Sequence, residues 1–289
     1  MKRIISTLLC LVLVFTCTAC GNTAEEDSVN SSDDASVVAS SQDNTDSDTA
    51  SDEPASSENV SSVAKPVTPV KIMPLGDSLT QGGQHKTSAY RGFLSEMLTA
   101  DGLNYQFVGS HNWSADSITD GQVMHSGYGG ATIFTLEKEL PSMADCDPDI
   151  VLLMIGRNDT TQGMNGPYFI ELMYTHVISK LFEMYPGVMV YCASVPPCRE
   201  YNGAESLSAK DNAQTVSYEA LKAMIAEKKA AGDNIEFVDM SAAASGITWE
   251  DFTVDDFVHP LPEGYKKIAV QWHNAIKDKV AEIDKKLNA

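Results

Sequence analysis

Four short stretches of this 289-residue chain carry side chains able to do chemistry together. The most specific is Asp255-Asp256-Phe257-Val258-His259-Pro260, in which a carboxylate stands three residues before an imidazole and a proline stiffens the turn behind it. At that spacing Asp256 can accept the Nδ1 proton of His259. Nε2 is then free to act as a base, which is what a hydroxyl nucleophile requires. The candidate hydroxyl is Ser78, in Gly76-Asp77-Ser78-Leu79-Thr80, although Gly-Asp-Ser is equally a good turn and helix-cap sequence. Gly156-Arg157-Asn158-Asp159 and Gly127-Tyr128-Gly129-Gly130-Ala131-Thr132 complete the set. Taken singly, each also reads as a plain turn or loop, because Gly and Asn tolerate left-handed backbone.

The other histidines lack such a setting. His176 and His273 fall within helical patterns, where packing is the better reading, and His85 and His111 sit in loops with no acid at useful spacing. His125 lies beside the glycine loop, where substrate contact and a structural role are equally good readings; Asp77 and Arg157 are further candidates for touching substrate. No Cys/His spacing resembles a zinc site, and neither a metal nor a cofactor is expected. A Gly-x-Ser-x-Gly elbow does not occur, which removes the α/β-hydrolase alternative.

The elements that must position these residues alternate along the chain. Val70–Leu75, Tyr105–Val108, Ile150–Ile155, Val188–Ala193 and Ile235–Val238 read as strands without period-two alternation, as in parallel sheets buried on both faces. Tyr90–Ala100, Pro167–Tyr185, Ala209–Ala231 and Gly264–Leu287 carry helical spacing. In the last, Tyr265, Ile268, Ala269, Trp272, Ile276, Val280 and Ile283 form a core-facing stripe. The alternation predicts an α/β fold, a three-layer α/β/α sandwich with right-handed crossovers. Ligands bind beyond the carboxyl ends of such strands, which is where the polar stretches fall.

In this order, Gly-Asp-Ser, a glycine loop, Gly-x-Asn-Asp and Asp-x-x-His-Pro resemble the four blocks of the SGNH (GDSL) hydrolase family, from Ile72 to Tyr265. The resemblance implies a flavodoxin-like parallel sheet of five strands, with Ser78 as nucleophile, His259 as base and Asp256 as its orienting partner. It also implies an oxyanion hole made by the N–H groups of Ser78 and Gly130 and the side-chain amide of Asn158. Met73-Pro74-Leu75-Gly76-Asp77-Ser78, Tyr90-Arg91-Gly92, Phe107-Val108-Gly109-Ser110, His125-Ser126-Gly127-Tyr128 and Asp149 to Gly156 are similar to carbohydrate esterase family three, which deacetylates xylan. Two positions depart from that branch. Arg157 replaces the more usual Thr, and Gly129-Gly130-Ala131 replaces Ser-Gly-Trp, which removes an aromatic sugar platform. The expected function is deacetylation of polysaccharide. A lysophospholipase or general short-chain esterase, or an inactive carbohydrate-binding lipoprotein, are the rival readings.

The N-terminal region speaks to compartment. Lys2 and Arg3 precede an apolar run from Ile4 to Ala19, too short for a comfortable bilayer crossing, so residues 1–19 read as a signal peptide. Cys17-Thr18-Ala19-Cys20-Gly21 resembles a bacterial lipobox, with Cys17 where Leu is usual, and implies lipidation at Cys20 and anchoring to the outer face of the cytoplasmic membrane. Residues 20–65 hold eleven acids against Lys65 alone and no aromatic residue. Such a segment buries too little apolar surface to order itself and is expected to be a disordered tether. Residues 66–289 then form the catalytic domain.

The net charge of −20 and the absence of any basic stripe exclude a nucleic-acid partner. Of six cysteines, Cys10, Cys17 and Cys20 belong to the signal region, and the odd remainder, Cys146, Cys192 and Cys198, argues against a disulfide scaffold. A Cys192–Cys198 bridge is compatible with the spacing but not required by it. Intact-mass analysis of the membrane fraction is expected to show a diacylglyceryl group on Cys20; quantitative release of unlipidated protein would refute the anchor.

Overall fold

The computed structural model describes residues 67–112, 124–201, 204–208 and 211–289. Residues 1–66, on which the expected signal peptide, lipidation at Cys20 and tether fall, lie outside the described residues. Six strands form one parallel sheet: β1 (Val70–Gly76), β2 (Tyr105–Phe107), β3 (Ser126–Gly127), β4 (Ile150–Met154), β5 (Met189–Ala193) and β6 (Ile235–Val238). The main order is β2-β1-β4-β5-β6, with β3 also paired to β1.

The five strands expected from sequence are all present, and β3 is the correction. It occupies the same edge of β1 as β2: β2 pairs Val70 to Ile72, and β3 pairs Leu75 and Gly76. Two residues inside a glycine loop carry no periodic signal, so such a strand is invisible to pattern reading.

Both faces of the sheet are covered, which explains the unbroken apolar runs. Val70 and Ile72 of β1, with Ile150, Leu152 and Met154 of β4, face a core shared with α2 (Tyr90–Ala100) and α9 (Pro262–Leu287). Met73, Leu75, Val151 and Leu153 face the opposite core. That core is shared with α3 (Ile133–Glu139), α5 (Gly166–Met173), α6 (Ser179–Met184) and α7 (Asp211–Ala231). The predicted stripe on α9 is buried from Tyr265 to Val280, with Ile283 partly buried at its end, and the Trp272 ring lies 5.8 Å from that of Tyr90. The single helical pattern over 167–185 is broken by a π-helical segment, Tyr174–Ile178, between α5 and α6.

The direction of strand addition reverses between β1 and β4, since β1 connects to β2 on one side and the chain later returns to β4 on the other. The crevice at such a reversal is the favoured ligand site of an open parallel sheet. Two four- or five-residue helices begin there: α1 (Ser78–Gln81) directly after β1 and α4 (Arg157–Thr161) just after β4. Gly76 permits their approach, because a Cβ at that position would stand 2.2 Å from the Met154 carbonyl oxygen and 2.6 Å from Thr80 Oγ1. Gly76→Ala is therefore expected to destabilise the fold by about 1–3 kcal/mol through overpacking and to lower activity in the molecules that remain folded. Urea denaturation and specific activity per folded molecule check this; an unchanged midpoint would show that the approach is not tight.

Candidate active site

Ser78 is the first residue of α1, and the turn that presents it is held from below. Asp77 caps the helix, accepting the Leu79 N–H at 2.9 Å through Oδ1. Arg91, fully buried on α2, donates Nε to the Thr80 carbonyl at 3.0 Å and Nη2 to the Gln81 carbonyl at 2.9 Å. A four-residue helix has almost no internal hydrogen bonding to stabilise it. Its orphan carbonyls are instead satisfied by a guanidinium fixed in the core.

Asp256 and His259 come from the loop before α9. Asp256 Oδ1 accepts the backbone N–H groups of Val258 at 3.2 Å and His259 at 2.9 Å, closing a local turn. That turn brings the His259 ring onto the same carboxylate, with Nδ1 lying 2.9 Å from Oδ2 and 3.1 Å from Oδ1. The other ring nitrogen, Nε2, is 2.8 Å from Ser78 Oγ. With Nδ1–H donating to the carboxylate, Nε2 is the acceptor for the serine hydroxyl.

Burial opposes ionisation of Asp256, but the His259 backbone N–H, the His259 ring and the Val258 N–H outweigh it and hold the carboxyl below its ordinary range. Behind the turn, the Leu261 N–H donates to the Asp251 carbonyl at 2.7 Å, and the Asp251 carboxylate takes Lys267 Nζ at 2.7 Å. Gly264 leaves room there, since a Cβ would meet that of Pro260 at 2.7 Å. The neighbouring Asp255 is exposed and outside this network.

Ser78, Gly130, Asn158, Asp256 and His259 line one cavity of about 1110 Å³. Gly130 has φ +73°, with no atom within 4 Å of where its Cβ would be, whereas a Cβ on Gly129 would strike Gln81 Oε1 at 2.6 Å. The two glycines thus serve different ends, backbone conformation at 130 and clearance at 129. Asn158 Nδ2 donates to the Ala131 carbonyl at 2.9 Å, tying its amide to the glycine loop while a second N–H remains on the same nitrogen. Asp159, fully buried, accepts the Ile133 N–H at 3.1 Å and so joins the β4 turn to the start of α3.

Of the three candidates for substrate contact, only Arg157 reaches the cavity wall. There it donates Nη1 to Cys198 Sγ at 3.5 Å and Nη2 to the Pro196 carbonyl. Asp77 is not part of that wall: it is 1% exposed beneath Ser78, where burial pushes its carboxyl up to about 7. His125 is not part of it either, being fully buried with Nδ1 accepting the Gly127 N–H at 3.0 Å. His176 and His273 pair with Glu137 and Asp101 away from the cavity. Cys146, Cys192 and Cys198 are free thiols. Among the described residues no cluster could hold a metal ion, and no helix is long and apolar enough to cross a membrane.

Sequence reasoning missed His85. Its Nε2 lies 3.2 Å from the His259 carbonyl oxygen and 3.6 Å from Asp256 Oδ2, across 174 residues from the former. A carbonyl only accepts, so Nε2 carries a proton and donates. The residue does this from a left-handed backbone, φ +54° and ψ 24°, a conformation that persists only where its surroundings over-determine it. It joins the loop that follows Ser78 to the turn that carries the base.

Comparison with known proteins settles the family. A profile of the GDSL-like lipase/acylhydrolase family matches residues 75–267. The chain belongs to that family. Membership places it among carboxylic ester hydrolases. A multidomain esterase of Ruminococcus flavefaciens is 29% identical over 235 residues, 72% of this chain, and the match spans only 28% of the length of that relative.

Two solved structures share the fold over nearly their whole length. A carbohydrate esterase family 3 protein from Talaromyces cellulolyticus is 25% identical with a TM-score of 0.62, covering 74% of this chain and 99% of its own. A family 3 carbohydrate esterase from Clostridium thermocellum is 26% identical with a TM-score of 0.58, covering 75% and 99%.

Within this acylhydrolase, the His85 bridge predicts a positioning effect. His85→Ala is expected to lower kcat by about 10- to 10²-fold with little change in KM, the range that small misplacements of catalytic groups produce. His85→Gln, whose amide also donates to a carbonyl, is expected to recover most of the loss. Steady-state kinetics on p-nitrophenyl acetate check this, and equal activity in all three proteins would remove His85 from the site.

Proposed function

We propose that this chain is a secreted, lipid-anchored serine esterase that removes acetyl groups from polysaccharide. The observation that carries the chemistry is the continuous contact from Asp256 through His259 to Ser78, 2.9 Å and 2.8 Å long, at the carboxyl ends of β1 and β4. In this reading Ser78 Oγ attacks the acetyl carbonyl carbon as its proton passes to His259 Nε2. Negative charge gathers on the former carbonyl oxygen, where the N–H groups of Ser78 and Gly130 and the Asn158 amide stabilise it. Fixed donors of this kind favour the transition state over the ground state, each contributing about 10²–10³ in rate.

Collapse of the tetrahedral intermediate breaks the ester C–O bond, and the departing sugar oxygen takes the proton from His259. Water then repeats the sequence on the acetyl-serine, releasing acetate and restoring Ser78. The Asp256 carboxylate steadies the imidazolium that forms twice in the cycle.

Two observations support a polysaccharide over a lipid ester. The carbohydrate esterase neighbours align over 99% of their own length. The catalytic cavity also carries Gln84, Thr160, Thr161, Ser208 and Asp255 on its walls, polar groups suited to hydroxyls. The largely apolar hollow nearby, about 290 Å³ and lined by Ile155, Phe169, Met173, Val195 and Leu221, includes neither Ser78 nor His259. Location outside the cell, with the polar segment of residues 20–65 as a tether from Cys20, suits a substrate too large to enter.

Acetate release from acetylated xylan, beside hydrolysis of p-nitrophenyl acetate, tests this reading. Ser78→Ala and His259→Ala are each expected to lower kcat on the order of 10⁶-fold, and the double variant should be little worse than either. Non-additivity follows because the hydroxyl is a poor nucleophile until the imidazole takes its proton. Asp256→Asn should cost about 10⁴-fold through the wrong tautomer, while Asp255→Asn keeps most activity. Normal turnover by Ser78→Ala would end the serine mechanism, and a crippled Asp255→Asn beside a healthy Asp256→Asn would reassign the acid.

A further inference from the structure

The wall of the catalytic cavity contains one large ring that the fold does not use. Tyr201 is 70% exposed, the equal of Tyr168 as the most exposed aromatic among the described residues, and unlike Tyr168 it lines the cavity that holds Ser78 and His259. An exposed aromatic in the lining of the catalytic cavity is informative because burial does not account for it. Its ring stands edge-to-face with Phe257 at 4.6 Å, and Phe257 lies two residues before the base in the same wall.

The support beneath this pair is built. The Arg199 N–H donates to the Phe257 carbonyl at 2.9 Å, so the segment leading to Tyr201 is joined by backbone to the turn of Asp256 and His259. The Arg199 side chain adds bonds to the Ala204 carbonyl at 3.1 Å and the Phe252 carbonyl at 3.4 Å, and its guanidinium sits 5.2 Å over the Trp249 ring. Antiparallel contacts, Ser208 N–H to the Cys198 carbonyl at 2.8 Å and Glu200 N–H to the Ser206 carbonyl at 3.0 Å, brace the arm from the other side. Tyr201 is thus a ring with few rotatable bonds on a fixed stem, which loses little entropy when a ligand packs against it.

We propose that Tyr201, backed by Phe257, is the platform on which a pyranose ring of the substrate stacks while its acetyl ester lies against Ser78. The assignment rests on the polysaccharide reading above and adds a subsite to it. A pyranose presents C–H bonds on its faces and hydroxyls around its edge. It therefore matches one aromatic surface surrounded by amide, hydroxyl and carboxylate groups, as Gln84, Thr161, Ser208 and Asp255 provide here. The glycine loop at Gly129–Ala131 carries no aromatic side chain, so the platform stands on the opposite wall, beside the base.

The experiment compares wild type, Tyr201→Ala and Tyr201→Phe on acetylated xylo-oligosaccharides and on p-nitrophenyl acetate. Tyr201→Ala is expected to lose about three- to tenfold more kcat/KM on the oligosaccharide than on the small ester, chiefly through KM. Tyr201→Phe, which keeps the ring, should hold the wild-type ratio of the two substrates. Equal losses on both, or no loss on the oligosaccharide, would overturn the platform while leaving the esterase reading intact. A deficit in Tyr201→Ala that grows with acyl length from p-nitrophenyl acetate to octanoate would give the ring to an acyl chain and also overturn it. Wild-type protein that cleaves p-nitrophenyl acetate but releases no acetate from any acetylated saccharide would refute the polysaccharide reading, and the platform with it.

Discussion

The site depends on how β1 leaves the sheet. A strand buried on both faces must turn within two residues and expose one hydroxyl without opening the core behind it. Gly76 allows the strand to press against the Met154 carbonyl, Asp77 caps the turn, and Arg91 captures the carbonyls that a four-residue helix cannot satisfy itself. Burying a guanidinium is costly unless its donors are met, and here they are met by backbone whose position is needed. The burial that lowers the Arg91 pKa to about 10 also means that its charge is held by the fold and not by solvent.

Around that turn the remaining groups are placed by different means. His259 is oriented locally, by a carboxylate three residues away that also accepts two backbone N–H groups. Asn158 is oriented through the glycine loop, and the glycine loop through Asp159 and the start of α3. His85 reaches across the crevice and links the two halves. Several of these supports are themselves buried carboxyls, Asp77 and Asp159, whose ionisation is opposed by their surroundings. They act by accepting N–H groups.

Much of this was legible in the sequence, for reasons of periodicity. Strands buried on both faces read as solid apolar runs, and the stripe on α9 follows helical spacing through Val280. The Asp-x-x-His turn was legible because acid and base are local to each other. What escaped was non-local or too short to repeat. The two residues of β3 carry no pattern, and the bridge from His85 to His259 spans the domain. Asp77 and His125 lie outside the cavity lining, since nearness in sequence to a polar motif says nothing of which side of the backbone faces the crevice. Tyr201 could not be weighed from sequence at all, since an aromatic in a polar loop signals nothing until its neighbours in space are known.

The order in which the chain can assemble follows from the sheet. β1 is the first strand of the domain yet an interior one, so it waits for partners that begin at residues 105, 126 and 150. His259 arrives later still, 181 residues after Ser78, and the loop that carries it is held against α9 by the Lys267–Asp251 pair. Non-local pairing of this kind is slow, because loop closure must precede any stabilising contact. The contact between Ser78 and His259 therefore forms late, only once the turn that precedes α9 has been made.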